Sequence, residues 1–162
     1  MSDLVIPWSR WEASGRVGAR AQVQDVRLYS LKTQLKEFGA DPPYTVDLEV
    51  DATAQRDDDA NFFVISAEYT LKTNAYGEEQ DAHDDAVEAE IEVAEVSFTL
   101  LALYGLGEPA DDDEPLSTDE LEAYAESVGV MTLHPYAREL IQDQTTRLGL
   151  PGLTIGVAKI VR

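Results

Sequence analysis

There is no cysteine among the 162 residues. That excludes a disulfide frame, a thiolate metal site and a cysteine nucleophile, and it fits a reducing compartment. Long apolar runs are also missing: no stretch approaches the roughly 20 residues of a membrane span. The N-terminus places Asp3 and Pro7 where a signal peptide needs basic and then apolar sequence. A cytoplasmic location without membrane insertion is therefore expected. Basic residues are few, 12 against 32 acidic ones, for a net charge of −20. Between Lys72 and Arg138 there is no Lys or Arg at all. Such a chain repels nucleic-acid phosphates and attracts basic partners, basic segments of unfolded chains included. Plain solubility or salt adaptation would give the same excess.

Catalytic signatures are equally absent. There is no GxSxG, no P-loop, no GxGxxG followed by an acidic residue, no HExxH and no EF-hand spacing. Of the two histidines, His83 sits with Asp81, Asp84 and Asp85 in a stretch that could hold a hard metal ion, and His134 precedes Pro135 without a catalytic partner pattern. Asp111-Asp112-Asp113-Glu114 reads as a solvated loop. The expectation is no enzyme, no metal and no cofactor.

What is present suits one domain with a real core: hydrophobic residues make up 44%. Residues 1–16 read as an N-terminal arm, with Trp8 and Trp11 expected to dock on the chain's own sheet or on a neighbouring subunit. Residues 17–162 read as a single domain. Val17, Ala19, Ala21 and Val23 alternate as a strand, then Val26 and Leu28 carry the apolar side, which predicts a bulge near Gln24-Asp25. The linker 32–43, with Asp41-Pro42-Pro43, is too long for a hairpin and predicts a crossover. Tyr44 to Ala54 is the cleanest alternation, apolar on one face and acidic on the other. Residues 61–73 put Phe63, Ile65, Ala67, Tyr69 and Leu71 on one face. Val87 to Leu100 alternates with a phase change after Val93, which predicts a second bulge at Ala94-Glu95. Ser117 and Glu120 form a capping-box pattern with Leu116 and Leu121 as a staple, so a helix should start there. Gly129 weakens that helix and Pro135 should kink or restart it. The tail 153–161 reads as extended. Together these predict an α+β fold: a four-stranded antiparallel Greek-key sheet, first strand beside fourth, followed by a long kinked helix.

The stretch Pro135-Tyr136-Ala137-Arg138-Glu139, followed by Thr146-Arg147-Leu148-Gly149-Leu150-Pro151, resembles the helix signature of the SecB export-chaperone family. Gln24-Asp25-Val26 and Glu92-Val93 match tripeptide and dipeptide patterns of that family's first and last strands. The resemblance extends over about Ala19 to Ile160. It implies an ATP-independent molecular chaperone that binds unfolded polypeptides, either preproteins for export or an aggregation-prone antitoxin of a toxin–antitoxin–chaperone module. A different class stays open: an acidic interaction protein that binds or inhibits one folded basic partner. The resemblance implies that Asp25 and Glu92 face the SecA translocase. It also places Leu35 and Phe38 in a crossover loop that lines the client groove. Tyr44, Leu150 and Leu153 are expected to complete that client surface. The sequence departs from the family at Tyr29, usually acidic there, and at Ala94-Glu95-Val96-Ser97, usually glycine-rich. The family's further C-terminal helix has no counterpart before Arg162.

One sheet and one helix broken by Gly and Pro leave apolar surface over. Tyr124, Val128, Leu133, Tyr136 and Leu140 are therefore expected at oligomer interfaces. The expected assembly is a homo-oligomer, a tetramer built as a dimer of dimers.

Overall fold

A computed structural model of the chain describes residues 4–58, 60–78, 88–109, 114–156 and 158–161. Its elements run β1 (Leu4–Pro7), α1 (Trp8–Ala13), α2 (Gly15–Gly18), β2 (Ala21–Leu35), β3 (Tyr44–Gln55), β4 (Phe62–Glu78), β5 (Glu88–Leu106), α3 (Thr118–Tyr124), a π turn (Ala125–Gly129), α4 (Val130–Arg147) and β6 (Ala158–Val161). The main sheet is antiparallel in the order β2-β5-β4-β3. The first long strand thus lies beside the fourth, the Greek-key arrangement that the long connection after β2 predicts.

Period-2 burial separates two faces. Phe63, Ile65, Ala67, Tyr69 and Leu71 of β4 and Val96, Phe98, Leu100, Ala102 and Tyr104 of β5 are buried under the helices. Register brings Phe63 opposite Tyr104 and Tyr69 opposite Phe98. Both pairs stack, with centroids 5.1 and 4.8 Å apart. Tyr124 meets Phe63 and Tyr104 edge-on at 5.7 and 5.4 Å, an arrangement that matches ring edges to ring faces.

The bulge expected near Gln24-Asp25 is present: Val23 pairs with Tyr104 and Asp25 with Leu103, so Gln24 is the extra residue. A second bulge, at Tyr29, was not predicted. The bulge of β5 falls at Val93, one residue before the predicted pair, since Thr73 faces Ala94 and Asn74 faces Glu92. Two consecutive buried residues, Val93 and Ala94, record the phase change. The alternation at Val17 to Ala21 is not a strand throughout. Val17 lies in α2 and is fully buried, and β2 starts at Ala21. Of the alternating set only Val17 falls in the helix, where α2 packs on α3. The residues before it pair β1 with β6 in parallel and set Arg10 against Asp119 and Glu126.

Ser117 caps α3 as predicted. Its hydroxyl accepts from the Glu120 N–H at 3.2 Å, and the Glu120 carboxylate accepts from the Ser117 N–H at 2.8 Å. Chiefly that backbone bond, helped by the Ser117 hydroxyl and by Arg16, holds the Glu120 carboxyl below its ordinary value. A depressed folded value means that its stabilisation is complete above the unfolded pKa of about 4.3 and is lost as pH falls through the lower folded value. Glu120→Gln should therefore lower the thermal midpoint at neutral pH, and the gap to wild type should close at acidic pH. A gap that stays constant from pH 7 to pH 3 would contradict this reading.

Pro135 does not restart the helix, which continues to Arg147. The irregular winding lies upstream, in the π turn, where Gly129 approaches β4. A Cβ at Gly129 would stand 2.6 Å from Ile65 Cδ1 and 3.3 Å from its Cγ2, and Ile65 is fully buried in the core. Gly129→Ala should therefore destabilise by about 2 kcal/mol, against the gain of up to about 1 kcal/mol that alanine offers in a helix. Calorimetry should show a midpoint lowered by several degrees; an unchanged or raised midpoint would refute the close-packing account.

Candidate functional site

α4 ends in a Schellman turn. Gly149, at φ +79°, donates to the Thr146 carbonyl, and Leu150 donates to the Thr145 carbonyl. The chain then turns back as a strap, residues 149–156, before β6. Between the strap and β3 lies a groove of about 340 Å3, lined by Tyr44, Thr45, Val46, Leu48, Leu153, Thr154 and Ile155. Its walls are mainly apolar because the inward residues of β3 face the buried side of the strap.

Two of the five predicted client residues line this groove. Leu35, Tyr44 and Leu150 meet in a second small core with Ala75, Val93 and Ala94. Tyr44 and Leu153 line the groove itself, and Leu153 also packs on the main core. Phe38 stands apart on the crossover loop, 90% exposed. The root of that loop is fixed to the β5 bulge, where the Lys36 and Glu37 N–H groups both donate to the Val93 carbonyl at 2.8 and 3.1 Å. Tyr44 Oη donates to the Ala40 carbonyl at 2.6 Å and ties the far side of the loop. Val46, Leu48, Thr154 and Ile155 were not singled out in the sequence. For the two β3 residues the signal was there, in the apolar alternation that begins at Tyr44.

Asp25 and Glu92 both lie on the outer, solvent side of the sheet. Asp25 pairs with Leu103 and Glu92 with Asn74, so some 11 positions of β5 separate them, about 35 Å. They are therefore two places on one face and do not form one cluster. Each already has a basic neighbour. Asp25 accepts from Arg27 Nε at 2.6 Å, and Glu92 and Glu95 both accept from Lys36 Nζ, at 2.5 and 2.9 Å. The hydrogen bonds to Glu92 and then Glu95 hold the Lys36 ammonium above its ordinary pKa, and the bond to Lys36 holds Glu95 below its own. Nearby, Asn74 Nδ2 donates to Glu90 and Asp47, and Thr45 Oγ1 donates to Glu90, which spreads the acidic face over three strands.

Among the expected interface residues, Tyr124 and Leu133 are buried in the chain's own core. Burial raises the Tyr124 hydroxyl well above its ordinary pKa. Val128 and Leu140 are half-buried against the same core, and Tyr136 is 49% exposed. Tyr136 and Leu140 join Val26, Leu28 and Leu100 in a depression of about 250 Å3 between α4 and edge strand β2. The outward apolar surface of the helix is therefore at Tyr136 and Leu140.

The cluster around His83 and the residues Asp111, Asp112 and Asp113 lie outside the described residues. Among the described residues, no group of three or more His, Cys, Asp or Glu stands close enough to hold a metal ion. No helix among them is long and apolar enough to cross a membrane.

No family model matches the chain. Two curated proteins of Mycobacterium tuberculosis are similar along most of its length. They are the SecB-like chaperone Rv1957 of strain H37Rv and the SecB-like chaperone MT2006 of strain CDC 1551. Each is 33% identical over 147 residues, which cover 88% of this chain and 80% of the relative. The chain belongs to the SecB-like chaperone family. Among solved structures, that of the Mycobacterium tuberculosis SecB-like chaperone Rv1957 in complex with a ChAD peptide from the Rv1956 HigA1 antitoxin matches with a TM-score of 0.77 and 27% identity. The match covers 94% of this chain and 99% of that one. The fold of that chaperone is thus shared by this chain, with its four-stranded antiparallel sheet and long helix.

Proposed function

We propose that this SecB-like chaperone acts without nucleotide and without catalysis, holding unfolded or aggregation-prone polypeptides in the groove between β3 and the strap. The observation that carries this reading is the groove itself: an apolar, partly open channel beside a crossover loop that exposes Phe38. A folded monomer gains nothing from leaving a phenylalanine at 90% exposure, whereas an extended chain can bury it. The solved relative bound to an antitoxin peptide favours an antitoxin as one client here, with export preproteins as the other class and the cytoplasm as the site of action. Phe38, Tyr44 and Leu153 are the proposed client surface; Leu35 and Leu150, expected there from the sequence, back it from the second small core, where Leu150 is buried. Asp25 and Glu92 are the proposed contacts of a basic surface on a translocase or similar partner, which would have to compete with Arg27 and Lys36.

We place the assembly at β2 and α4, as a dimer or a dimer of dimers. The test of function is suppression of aggregation of several unrelated unfolded proteins, with competition between them and without nucleotide. Mutual competition is expected. Binding of one folded basic protein and of none of the unfolded chains would instead select the acidic inhibitor reading.

A further inference from the structure

The wall of the groove opposite β3 is a length of chain without regular secondary structure, Leu153 to Gly156, so something must hold it at a fixed distance. Two side-chain hydrogen bonds from α4 do so, and they bracket the three strap residues that line the groove. Thr145, fully buried, accepts from the Leu153 N–H at 3.2 Å through Oγ1 while donating to the Ile141 carbonyl at 2.8 Å. His134, 6% exposed, reaches the Gly156 carbonyl through Nε2 at 2.6 Å. A carbonyl can only accept, so Nε2 is the donor in this contact. Among the described residues its Nδ1 is buried without a partner, and the ring's polar contact is to the strap.

We propose that His134 and Thr145 are positioning residues for client binding, which set the width of the groove by fixing the strap at its two ends. They do not touch the client. Leu153 and Thr154 do, beside Ile155, whose side chain is sunk in the main core, and the spacing of this wall from Tyr44, Val46 and Leu48 depends on where α4 holds the chain around it. With the ties released, the strap can settle closer to β3 or lift from it, and the apolar walls no longer match an extended chain. This inference rests on the proposed use of the groove.

The experiment uses the full chain, with reduced and carboxamidomethylated lysozyme as a basic, permanently unfolded probe. Thr145→Val keeps the volume and removes the acceptor; Thr145→Ser restores it. His134→Phe keeps an aromatic ring in the same place and removes the donor. Each loss of one well-placed hydrogen bond should weaken the probe about tenfold, and Thr145→Ser should return it close to wild type. Hydrogen exchange at the Leu153 amide should quicken in Thr145→Val while the amides of α4 stay protected. A purely structural role would lower the thermal midpoint and leave binding well below that midpoint unchanged.

Wild-type affinity in both Thr145→Val and His134→Phe, with Leu153 exchanging faster in Thr145→Val, would overturn the proposal and leave the chaperone reading intact. Failure of the wild-type protein to bind the probe would overturn both.

Discussion

Phe38→Ser is expected to weaken binding of unfolded polypeptide by roughly tenfold to a hundredfold and to leave the thermal midpoint of the chaperone where it was. Phe38 is 90% exposed, so the folded chain gains almost nothing from it. A client that buries the ring recovers about 1.5–3 kcal/mol, and the loss of that amount is the predicted change in affinity. The test separates binding from folding more cleanly than a change at Leu35 would. Leu35 is half-buried and packs on Ala75, Val93, Ala94 and Leu150, so its replacement would also loosen the second core. Leu153→Ser should add a comparable loss from the strap wall of the groove, with some cost in stability because Leu153 also touches the main core. Fluorescence anisotropy with a labelled unfolded probe, beside calorimetry of the same variants, measures both quantities. Unchanged affinity in Phe38→Ser would remove the crossover loop from the client surface.

The elements most legible in the sequence were those where local chemistry and tertiary packing agree. Strand β4 alternates from Phe63 to Leu71, and those residues are the buried ones. The capping box at Ser117 and Glu120 formed as read. The long linker before Tyr44 gave the Greek key, because a connection of that length is released from the hairpin geometry. The parts that were not legible depend on contacts distant in sequence. A π turn at Ala125–Gly129 has no composition of its own, and it is recognised only when Gly129 is seen against Ile65. Tyr124 and Leu133 read as surplus apolar residues on the helix, yet the aromatic stack of Phe63 and Tyr104 and the rest of the core absorb them. The strap is eight residues of loop, and its ties to His134 and Thr145 reveal it as a wall. The Pro135–Arg138 stretch carries the family resemblance; charge and periodicity alone point no further than a basic or unfolded partner.

The second large effect is expected in assembly. Edge strand β2 is 15 residues long, and among the described residues it pairs with β5 alone. Val23, Leu28 and Leu31, whose partners across the ladder are the buried-face residues Tyr104, Leu100 and Phe98, remain 40–48% exposed. Tyr29, at the second bulge, is 74% exposed, and Tyr136 of α4 stands beside Leu28 in the same depression at 49%. A long edge with an apolar flank is a liability for a soluble monomer, and natural edges are shortened, charged or covered. This one carries few charges on its apolar side. A second copy of the chain is the economical cover, because a two-fold axis lets the same patch serve both sides. Glu139 and Asp143 at the rim of the depression keep the patch from growing into a sticky open surface. Leu28→Asp combined with Tyr136→Asp would bury two unpaired carboxylates in that contact. The expected cost is at least about 3 kcal/mol, more than a hundredfold in the association constant. Light scattering coupled to size exclusion at micromolar protein should show an oligomer for wild type and monomer for the double variant, with near-native circular dichroism in both. If the wild-type protein runs as a monomer across concentrations, this surface needs another partner. If the double variant keeps the oligomer, the interface lies elsewhere. Assembly also changes client binding, since grooves from several subunits hold one long chain by effective concentration. The dissociated variant should then bind a short unfolded peptide as well as wild type does and a long unfolded chain more weakly. Equal loss for both would mean that the substitutions reached the groove itself.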